Sequence, residues 1–323
     1  MFLKVAVKSL LSRKGSAMMT LMAISVAIFV LLGIEQIRQQ ARDSFASTVS
    51  GVDLIVGAKT GSLNLLLYSV FRIGSPTDNI SWQAYRDIAD SDDVAWAIPI
   101  SLGDSHEGYR VVGTTQAFFE HFSFGKKRTL AFFKGETFEE TFDAVLGSEV
   151  ASALGYSVGT EIILAHGLAS TSFTKHDNQP FVVVGVLAPT GTPVDQTIHV
   201  RLEGIEAMHA GGSTVPIGAF APANAPDTDF SEPESITAFM LGLKSRMSTF
   251  NVQRQINQFT REPLMAILPG VALSELWQMM SMFENVLRLI SALVLLAAVL
   301  GMGAVLLASI RERRQEIHLL RII

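Results

Sequence analysis

The chain has 323 residues, of which 49% are hydrophobic and only 17% charged, and its mean hydropathy of +0.35 is high for a soluble protein. The net charge of −5 argues against nucleic acid as the main partner, and the lack of cysteine excludes disulfides and thiolate chemistry. A chain of this length is expected to form more than one folding unit, with the apolar excess concentrated in particular segments.

The first apolar segment follows a basic start. Residues 1–14 carry basic side chains and no acidic one, and the uncharged run 15–34 comes directly after them. A cleaved signal peptide has the same order, but this run is long and no small-residue cleavage site follows it. We therefore predict an uncleaved anchor, in which residues 1–34 form a cytoplasmic N-terminus and a first transmembrane helix.

Residues 35–285 predict a domain with a helical stalk at each end. Polar residues with spaced apolar ones, 35–47, continue the first helix. Strand patterns such as 94–102 and 181–187 then alternate with short helices and with connectors rich in Pro and Gly. The pattern indicates an α+β domain with an inserted subdomain at about 116–230.

Two of the short helices have predicted caps. Ser81 is expected to cap a helix over 82–89, and Ser148 is expected to cap a helix that stops at Gly155.

The apolar stretch 63–71 is too short to span a bilayer. It could lie on the membrane or line a groove for a hydrophobic substrate, and burial in the domain core is the alternative.

The last apolar segment, 289–310, contains no charged residue and forms a helix of about 33 Å, which is long enough to cross a bilayer. We predict a second transmembrane helix over 286–310 and a cytoplasmic basic tail over 311–323. The preceding residues, 271–284, place Leu273, Leu276, Trp277, Met280 and Phe283 on one side of a helix. Together with 35–47 this helix could form a lever, and simple packing is the alternative.

Small residues recur with the same spacing in both predicted spans. This i, i+4, i+7, i+11 pattern allows close helix packing in lipid, although small residues are also common in spanning helices. The predicted packing positions are Ser16, Thr20, Ala23, Ala27, Ala297, Gly301, Ala304 and Ala308.

Charge predicts the topology. Basic residues lie before the first span and after the second, whereas the long segment between them carries more acidic than basic residues. Because short basic flanks stay on the cytoplasmic side, both termini should be cytoplasmic and the large domain should be outside, in the periplasm of a bacterial inner membrane protein. The predicted fold class is an α+β extracytoplasmic domain inserted between two transmembrane α-helices, with helical stalk extensions.

No catalytic constellation stands out in the sequence. The segments 57–60 and 125–127 lack the spacing of a phosphate-binding loop, and the seven histidines include no zinc-binding pair. Asp90, Asp92 and Asp93 lack the spacing of a calcium loop and predict a solvated turn, with a calcium site as the alternative. We therefore expect neither a cofactor nor an enzymatic activity in this chain.

Several segments follow one another in an order that is typical of one family. They are 111–115, 118–119, 144–148, 154–155, 158–162, 181–187 and the terminal 311–321. In this order and topology the chain resembles MacB-like ABC transporter permeases. Within that resemblance, the predicted cytoplasmic coupling region comprises Arg311, Glu312, Arg313, Arg314 and Glu316.

The resemblance implies an inner-membrane permease for export or lipoprotein handling by mechanotransmission, driven by an ABC ATPase subunit. The implied partners are a second permease, as a homodimer or a paired subunit, membrane lipid, and a periplasmic or outer-membrane protein. Family permeases have two further spans, so we expect the chain to be the N-terminal part of a longer permease. The alternative is a two-span membrane receptor whose periplasmic domain senses a ligand.

Overall fold

The computed structural model describes residues 14–48, 50–166, 180–212 and 232–320. The chain divides into two units, which are described separately below. One consists of Met1–Arg42 with Trp277–Ile323 and is called the helical unit; the other, Asp43–Leu276, is called the globular unit.

The described residues form eight α-helices and fifteen strands. The helices are α1 (Lys14–Thr48), α2 (Ser62–Ser69), α3 (Trp82–Ala89), α4 (Ala117–His121), α5 (Ser148–Leu154), α6 (Leu202–Gly212), α7 (Thr249–Asn257) and α8 (Pro269–Leu320), with 3-10 turns at Pro193–Gln196 and Arg246–Ser248. The strands are β1 (Leu54–Ala58), β2 (Ile80–Ser81), β3 (Val94–His106), β4 (Tyr109–Thr114), β5 (Ser123–Phe124), β6 (Arg128–Thr129), β7 (Phe132–Gly135), β8 (Asp143–Leu146), β9 (Glu161–Ile162), β10 (Ala165–His166), β11 (Phe181–Leu187), β12 (Thr197–Arg201), β13 (Ser235–Ile236), β14 (Ala238–Leu243) and β15 (Leu264–Ile267).

An eleven-stranded mixed sheet organises the globular unit. Its main order is β15-β1-β14-β3-β4-β12-β8-β11-β7, with β9 and β10 pairing at β11 and β3. The 13-residue β3 connects its two parts, because residues 94–100 pair with β14 and residues 101–106 pair with β4. The β4–β12 and β8–β11 pairs are parallel, whereas the strands around β1 are antiparallel. The predicted limits of an inserted subdomain at about 116–230 stay a prediction.

Apolar side chains cover both faces of this sheet. In β1, Ile55 belongs to one buried cluster while Leu54 and Val56 belong to another. In β8, Val145 joins the cluster of Ile55, and Ala144 and Leu146 form part of a third. Strands covered on both faces are apolar at successive positions, which explains the continuous hydrophobic runs in the sequence.

The helix caps confirm one sequence prediction and correct another. The Ser81 hydroxyl accepts a hydrogen bond from the Ala84 amide at 3.2 Å and caps α3 as predicted. The prediction that Ser148 caps α5 is wrong, because the N-cap is Gly147. A Cβ at Gly147 would lie 2.3 Å from the carbonyl oxygen of Val194, so the backbones approach too closely for a serine there. Gly155 ends α5 in the left-handed conformation, as predicted.

The apolar stretch 63–71 belongs to the core of the globular unit. Most of it forms α2, and Leu65, Leu66, Tyr68 and Phe71 are buried in the same cluster as Ile55. Of the two interpretations of this stretch, burial is the one that the structure supports.

In the helical unit, apolar side chains are exposed along both helices. Phe29 and Leu32 of α1 are 78% and 61% exposed, and Leu296 and Leu300 of α8 are 54% and 64% exposed. Within the described ranges, one helical stretch, Pro269–Ala304, is long and apolar enough to cross a membrane. The run 15–34 of the first predicted span is helical as part of α1, and several of its side chains lie outside the described residues.

Candidate functional site

Four charged side chains connect the two long helices within the helical unit. Arg38 of α1 donates hydrogen bonds to both carboxylate oxygens of Glu35, one of them from Nε to Oε2 at 3.2 Å. Its Nη1 also lies 3.6 Å from Oε2 of Glu284 in α8. Arg288 of α8 donates from Nη2 to the Glu35 Oε2 at 3.1 Å. These four residues are called the charge cluster, and their formal charges cancel.

The order of contacts shows how α1 and α8 run where the charge cluster joins them. Residue numbers rise from Glu35 to Arg38 on α1, whereas their partners fall from Arg288 to Glu284 on α8. The two segments are therefore antiparallel at this point. Spacings of three residues on α1 and four on α8 place each pair of charges on one helix face.

Electrostatics favours the ionised form of the charge cluster. The hydrogen bond from Arg38, followed by that from Arg288, lowers the pKa of the Glu35 carboxyl below its ordinary value, despite partial desolvation. Because Arg288 and Glu35 are partly exposed, the ion pairs contribute to orientation more than to stability.

Sequence reasoning did not predict the charge cluster, although a signal for it exists. Glu35 is the first residue after the uncharged run 15–34, and Arg288 is the last before the uncharged run 289–310. Charged residues at matching ends of two apolar runs come together when the runs form a hairpin. The pairing of Arg38 with Glu284 depends on tertiary structure.

The predicted packing positions in the spans have different outcomes. Ala297, Gly301 and Ala304 are exposed, and a Cβ built on Gly301 meets no described atom within 4 Å beyond the adjacent residues and the local helix backbone. The side chains of Ser16, Thr20, Ala23, Ala27 and Ala308 lie outside the described residues. Close packing through these positions therefore stays a prediction.

The predicted coupling region lies on the C-terminal part of α8. The helix extends to Leu320, so its backbone includes Arg311, Glu312, Arg313, Arg314 and Glu316. The side chains of these five residues lie outside the described part of the structure, and their coupling role stays a prediction.

The predicted lever helix corresponds to the start of α8. Leu273 is buried in the core of the globular unit, and Leu276 packs against that core. Met280 and Phe283 belong to the helical unit, where they are 43% and 67% exposed. A role as a lever stays a prediction.

The described residues contain no group of three or more His, Asp or Glu side chains that could hold a metal ion. Near the aspartates at 90–93, Lys244 donates its amide to the Asp93 carbonyl at 3.0 Å and its Nζ to the Asp92 carbonyl at 2.8 Å. These contacts attach the acidic turn to the end of β14.

Comparisons with known proteins show one family. The sequence matches the family described as the MacB-like periplasmic core domain over residues 17–259. Among solved structures, the chain is similar to the periplasmic region of MacB from Actinobacillus actinomycetemcomitans, with a TM-score of 0.44 and 8% identity, covering 71% of this chain and 94% of that one. It is also similar to the extracellular domain of the noncanonic ABC-type transporter YknZ from Gram-positive bacteria, with a TM-score of 0.40 and 11% identity, covering 66% and 98%. No curated protein matches the chain in sequence.

Proposed function

Because the chain belongs to the family of MacB-like periplasmic core domains, we propose that it is a permease subunit of an ABC transporter, in which ATP hydrolysis by a partner subunit moves the globular unit on the periplasmic side of the inner membrane. The observation that carries the mechanical part of this proposal is the charge cluster, since it joins α1 to α8 where both leave their apolar runs.

Exposure of the helical unit supports a membrane location. Large apolar side chains such as Phe29 and Leu300 face outward in numbers that are typical of a surface covered by lipid or by another protein. The basic residues at both ends of the sequence favour cytoplasmic termini, and the globular unit would then lie in the periplasm.

Helix continuity supports a mechanical link. α1 runs unbroken from Lys14 to Thr48 and α8 from Pro269 to Leu320. A rigid helix carries a displacement at one end to its other end. The ion pairs of the charge cluster would make the two helices move together, so that closure of an ATPase dimer at the cytoplasmic ends shifts both stalks. Coupling to that ATPase would involve the arginine-rich end of α8, and the permease would act as a homodimer or with a second permease.

Distances between labelled subunits test the proposal. The chain lacks cysteine, so a single spin label can be attached through Ala153→Cys, at an exposed position of α5. In a complex with the cognate ATPase in lipid nanodiscs, we expect the label-to-label distance between two subunits to change between the nucleotide-free and the vanadate-trapped states. Unaltered distances would contradict mechanotransmission.

A second label provides the matched control. Asn251→Cys places it at an exposed position of α7 in the same globular unit. In doubly labelled chains diluted with unlabelled ones, the distance from residue 153 to residue 251 should stay constant, because both labels lie on one compact unit. Distances that respond to a soluble ligand and ignore nucleotide would favour a receptor.

The charge cluster can be tested separately. Arg38→Gln removes the residue that contacts both Glu35 and Glu284, and we expect it to reduce the nucleotide-dependent change while ATP hydrolysis continues. Arg261→Gln breaks an exposed ion pair with Asp87 in the globular unit and should leave the change intact. Equal effects of both variants would show that the charge cluster has no special role.

A further inference from the structure

A cavity in the globular unit combines two arginines with little else that is charged. Its volume is about 290 Å³. One wall is the loop 71–73 after α2, the second is the turn and strand start 108–110, and the third is the 3-10 turn that leads into β12. In the parallel pair of β4 and β12, Arg110 lies directly opposite Thr197, so the cavity is located where these two strands begin.

Arg72 and Arg110 supply the charge of this cavity. Both are half-buried. Arg72 donates from Nη1 to the Ser69 carbonyl, and Arg110 donates from Nη2 to the Gly74 carbonyl. A guanidinium has five N–H groups, so these bonds leave most of its donors available. Neither arginine forms an ion pair with a residue in the described part of the chain.

No acidic side chain in the described part of the chain balances the charge of the two guanidinium groups. Burial and the neighbouring Arg110 lower the pKa of Arg72 to about 9, which leaves Arg72 charged at neutral pH, and burial also lowers the pKa of Arg110. His199 of β12 is fully buried, and the charge of Arg72 helps to lower its pKa. Asp195 belongs to the same 3-10 turn as the third wall but does not line the cavity, and its carboxylate accepts hydrogen bonds from the amides of Thr190 and Gly191.

A purely structural role explains only part of this arrangement. Arg72 holds the carbonyl of Ser69 at the end of α2, and Arg110 holds that of Gly74 in the following loop, so each arginine has one structural bond. Two like charges side by side repel each other, and burial without a counter-charge costs further free energy. Arg72 also has a φ of 59°, a left-handed conformation that is uncommon for a residue other than glycine. An anion between the two guanidinium groups would remove the repulsion.

We propose that this cavity is a binding site for a phosphate or carboxylate group, held by the guanidinium groups of Arg72 and Arg110. Planar guanidinium forks match the paired oxygens of both groups and bind them more strongly than neutral donors do. A free anion and the headgroup of an anionic phospholipid share this chemistry. The site does not depend on the transport function proposed above.

Thermal unfolding of the full chain in nanodiscs tests the site. In discs of zwitterionic lipid, sodium phosphate is titrated against sodium chloride at constant ionic strength. We expect a saturable rise in Tm, of about 5 to 10 °C at a hundredfold excess over the Kd. Arg72→Gln and Arg110→Gln should abolish this rise. Arg86→Gln and Arg261→Gln remove the same charge from exposed ion pairs with Glu232 and Asp87 and should retain it.

A comparison of zwitterionic and anionic nanodiscs identifies the source of the anion. If a headgroup is the ligand, discs with phosphatidylglycerol should raise the Tm of the wild-type chain without phosphate, and Arg110→Gln should cancel that rise. A phosphate response that persists in Arg72→Gln and Arg110→Gln, or that Arg86→Gln removes equally, would overturn the proposal. So would the absence of any response in both lipids.

A measurement without variants covers the case in which a glutamine variant fails to fold. Crystals of the wild-type full chain grown with selenate should show an anomalous selenium peak between the two guanidinium groups. Data without a peak at that place would count against the site regardless of how the variants behave.

Discussion

The two units of the chain use the same residue types in opposite ways. In the globular unit, Leu65 and Leu66 are fully buried, and the strands of the sheet carry apolar side chains on both faces. In the helical unit, Leu32 and Leu300 are 61% and 64% exposed. In water, the burial of such side chains stabilises a folded chain by about 25 cal/mol per Å² of apolar surface. Such exposure is what the membrane location proposed above requires of the helical unit.

This difference shows where each unit gets its stability. The globular unit depends on close packing, so that the loss of a buried ring leaves a cavity. The helical unit has its backbone hydrogen bonds within two long helices, and on the membrane location proposed above its outward side chains need an apolar environment more than specific neighbours. Substitutions that change size should therefore affect the first unit, and substitutions that add charge should affect the second.

Removal of a buried ring should have the largest effect. Phe118 is fully buried, and its ring stacks on Phe122 at 4.9 Å and on His199 at 4.8 Å between centroids. We expect Phe118→Ala to lower the free energy of unfolding by about 3–5 kcal/mol. Thermal unfolding of the full chain in detergent, followed by near-UV circular dichroism, should show a Tm lower by about 10 °C or more.

The matched control removes the same ring from the other unit. Phe29 of α1 is 78% exposed, so Phe29→Ala creates no cavity and should leave the unfolding of the globular unit unchanged. A loss of stability as large as that of Phe118→Ala would show that Phe29 is packed, and the contrast between the units would fail.

A charge in the apolar surface should have the next largest effect. Leu296 of α8 is 54% exposed. Leu296→Arg is expected to disfavour membrane insertion by about 3 kcal/mol. Alkaline extraction of membranes from expressing cells should then release more of this variant than of the wild-type chain.

The control for that charge lies in the globular unit. Met247 is 93% exposed, and Met247→Arg should extract like the wild type, because an arginine at an exposed position of a water-soluble unit is well solvated. If Leu296→Arg remained membrane-bound and folded to the same extent, the exposed face of α8 would not be a lipid-facing surface.

Sequence patterns predicted the elements of the globular unit well, because their signals are local. The strand predicted over 181–187 is β11, and the helix predicted over 82–89 is α3 with its Ser81 cap. Burial on both faces produces uninterrupted apolar runs, and a side-chain cap requires a suitable residue at one position. The Ser148 cap was misplaced by one residue: the N-cap is Gly147, whose close approach to Val194 depends on a residue distant in sequence.

The candidate sites were less predictable for the same reason. Arg38 meets Glu284, and Arg72 lies beside Arg110, only after the chain has folded. Single charged residues in a sequence are usually solvated, so neither site has a pattern that distinguishes it. The family resemblance was accessible from the sequence because it rests on the order of segments along the chain, and the match over residues 17–259 confirms it.

The last prediction, which is small for each single pH unit, is a dependence on pH that originates in the core of the globular unit. Neither ring nitrogen of His199 forms a well-aligned hydrogen bond with a described residue, although the Val145 backbone lies close enough to interact with the ring. Burial, together with the charge of Arg72, lowers the pKa of His199 to about 3, against a smaller opposing contribution from the Val145 backbone. The unfolded chain, with an ordinary histidine pKa of about 6.5, takes up a proton below that pH, whereas the folded chain does not. Stability should therefore fall by about 1.4 kcal/mol for each pH unit from about 6 down to 3.

His199→Leu isolates this contribution, because leucine is similar in volume and cannot take up a proton. At pH 7 we expect a stability close to that of the wild type, since the buried nitrogens lose no well-aligned hydrogen bond. Between pH 6 and pH 3, the free energy of unfolding measured in urea should fall less steeply than in the wild type. The difference should equal the slope that His199 contributes. His121→Gln, at a side chain with 39% exposure, is the control and should keep the wild-type slope. Parallel curves for the wild type and His199→Leu would mean that the buried ring is protonated in the folded state, and a negative partner would then have to lie beside it and Arg72.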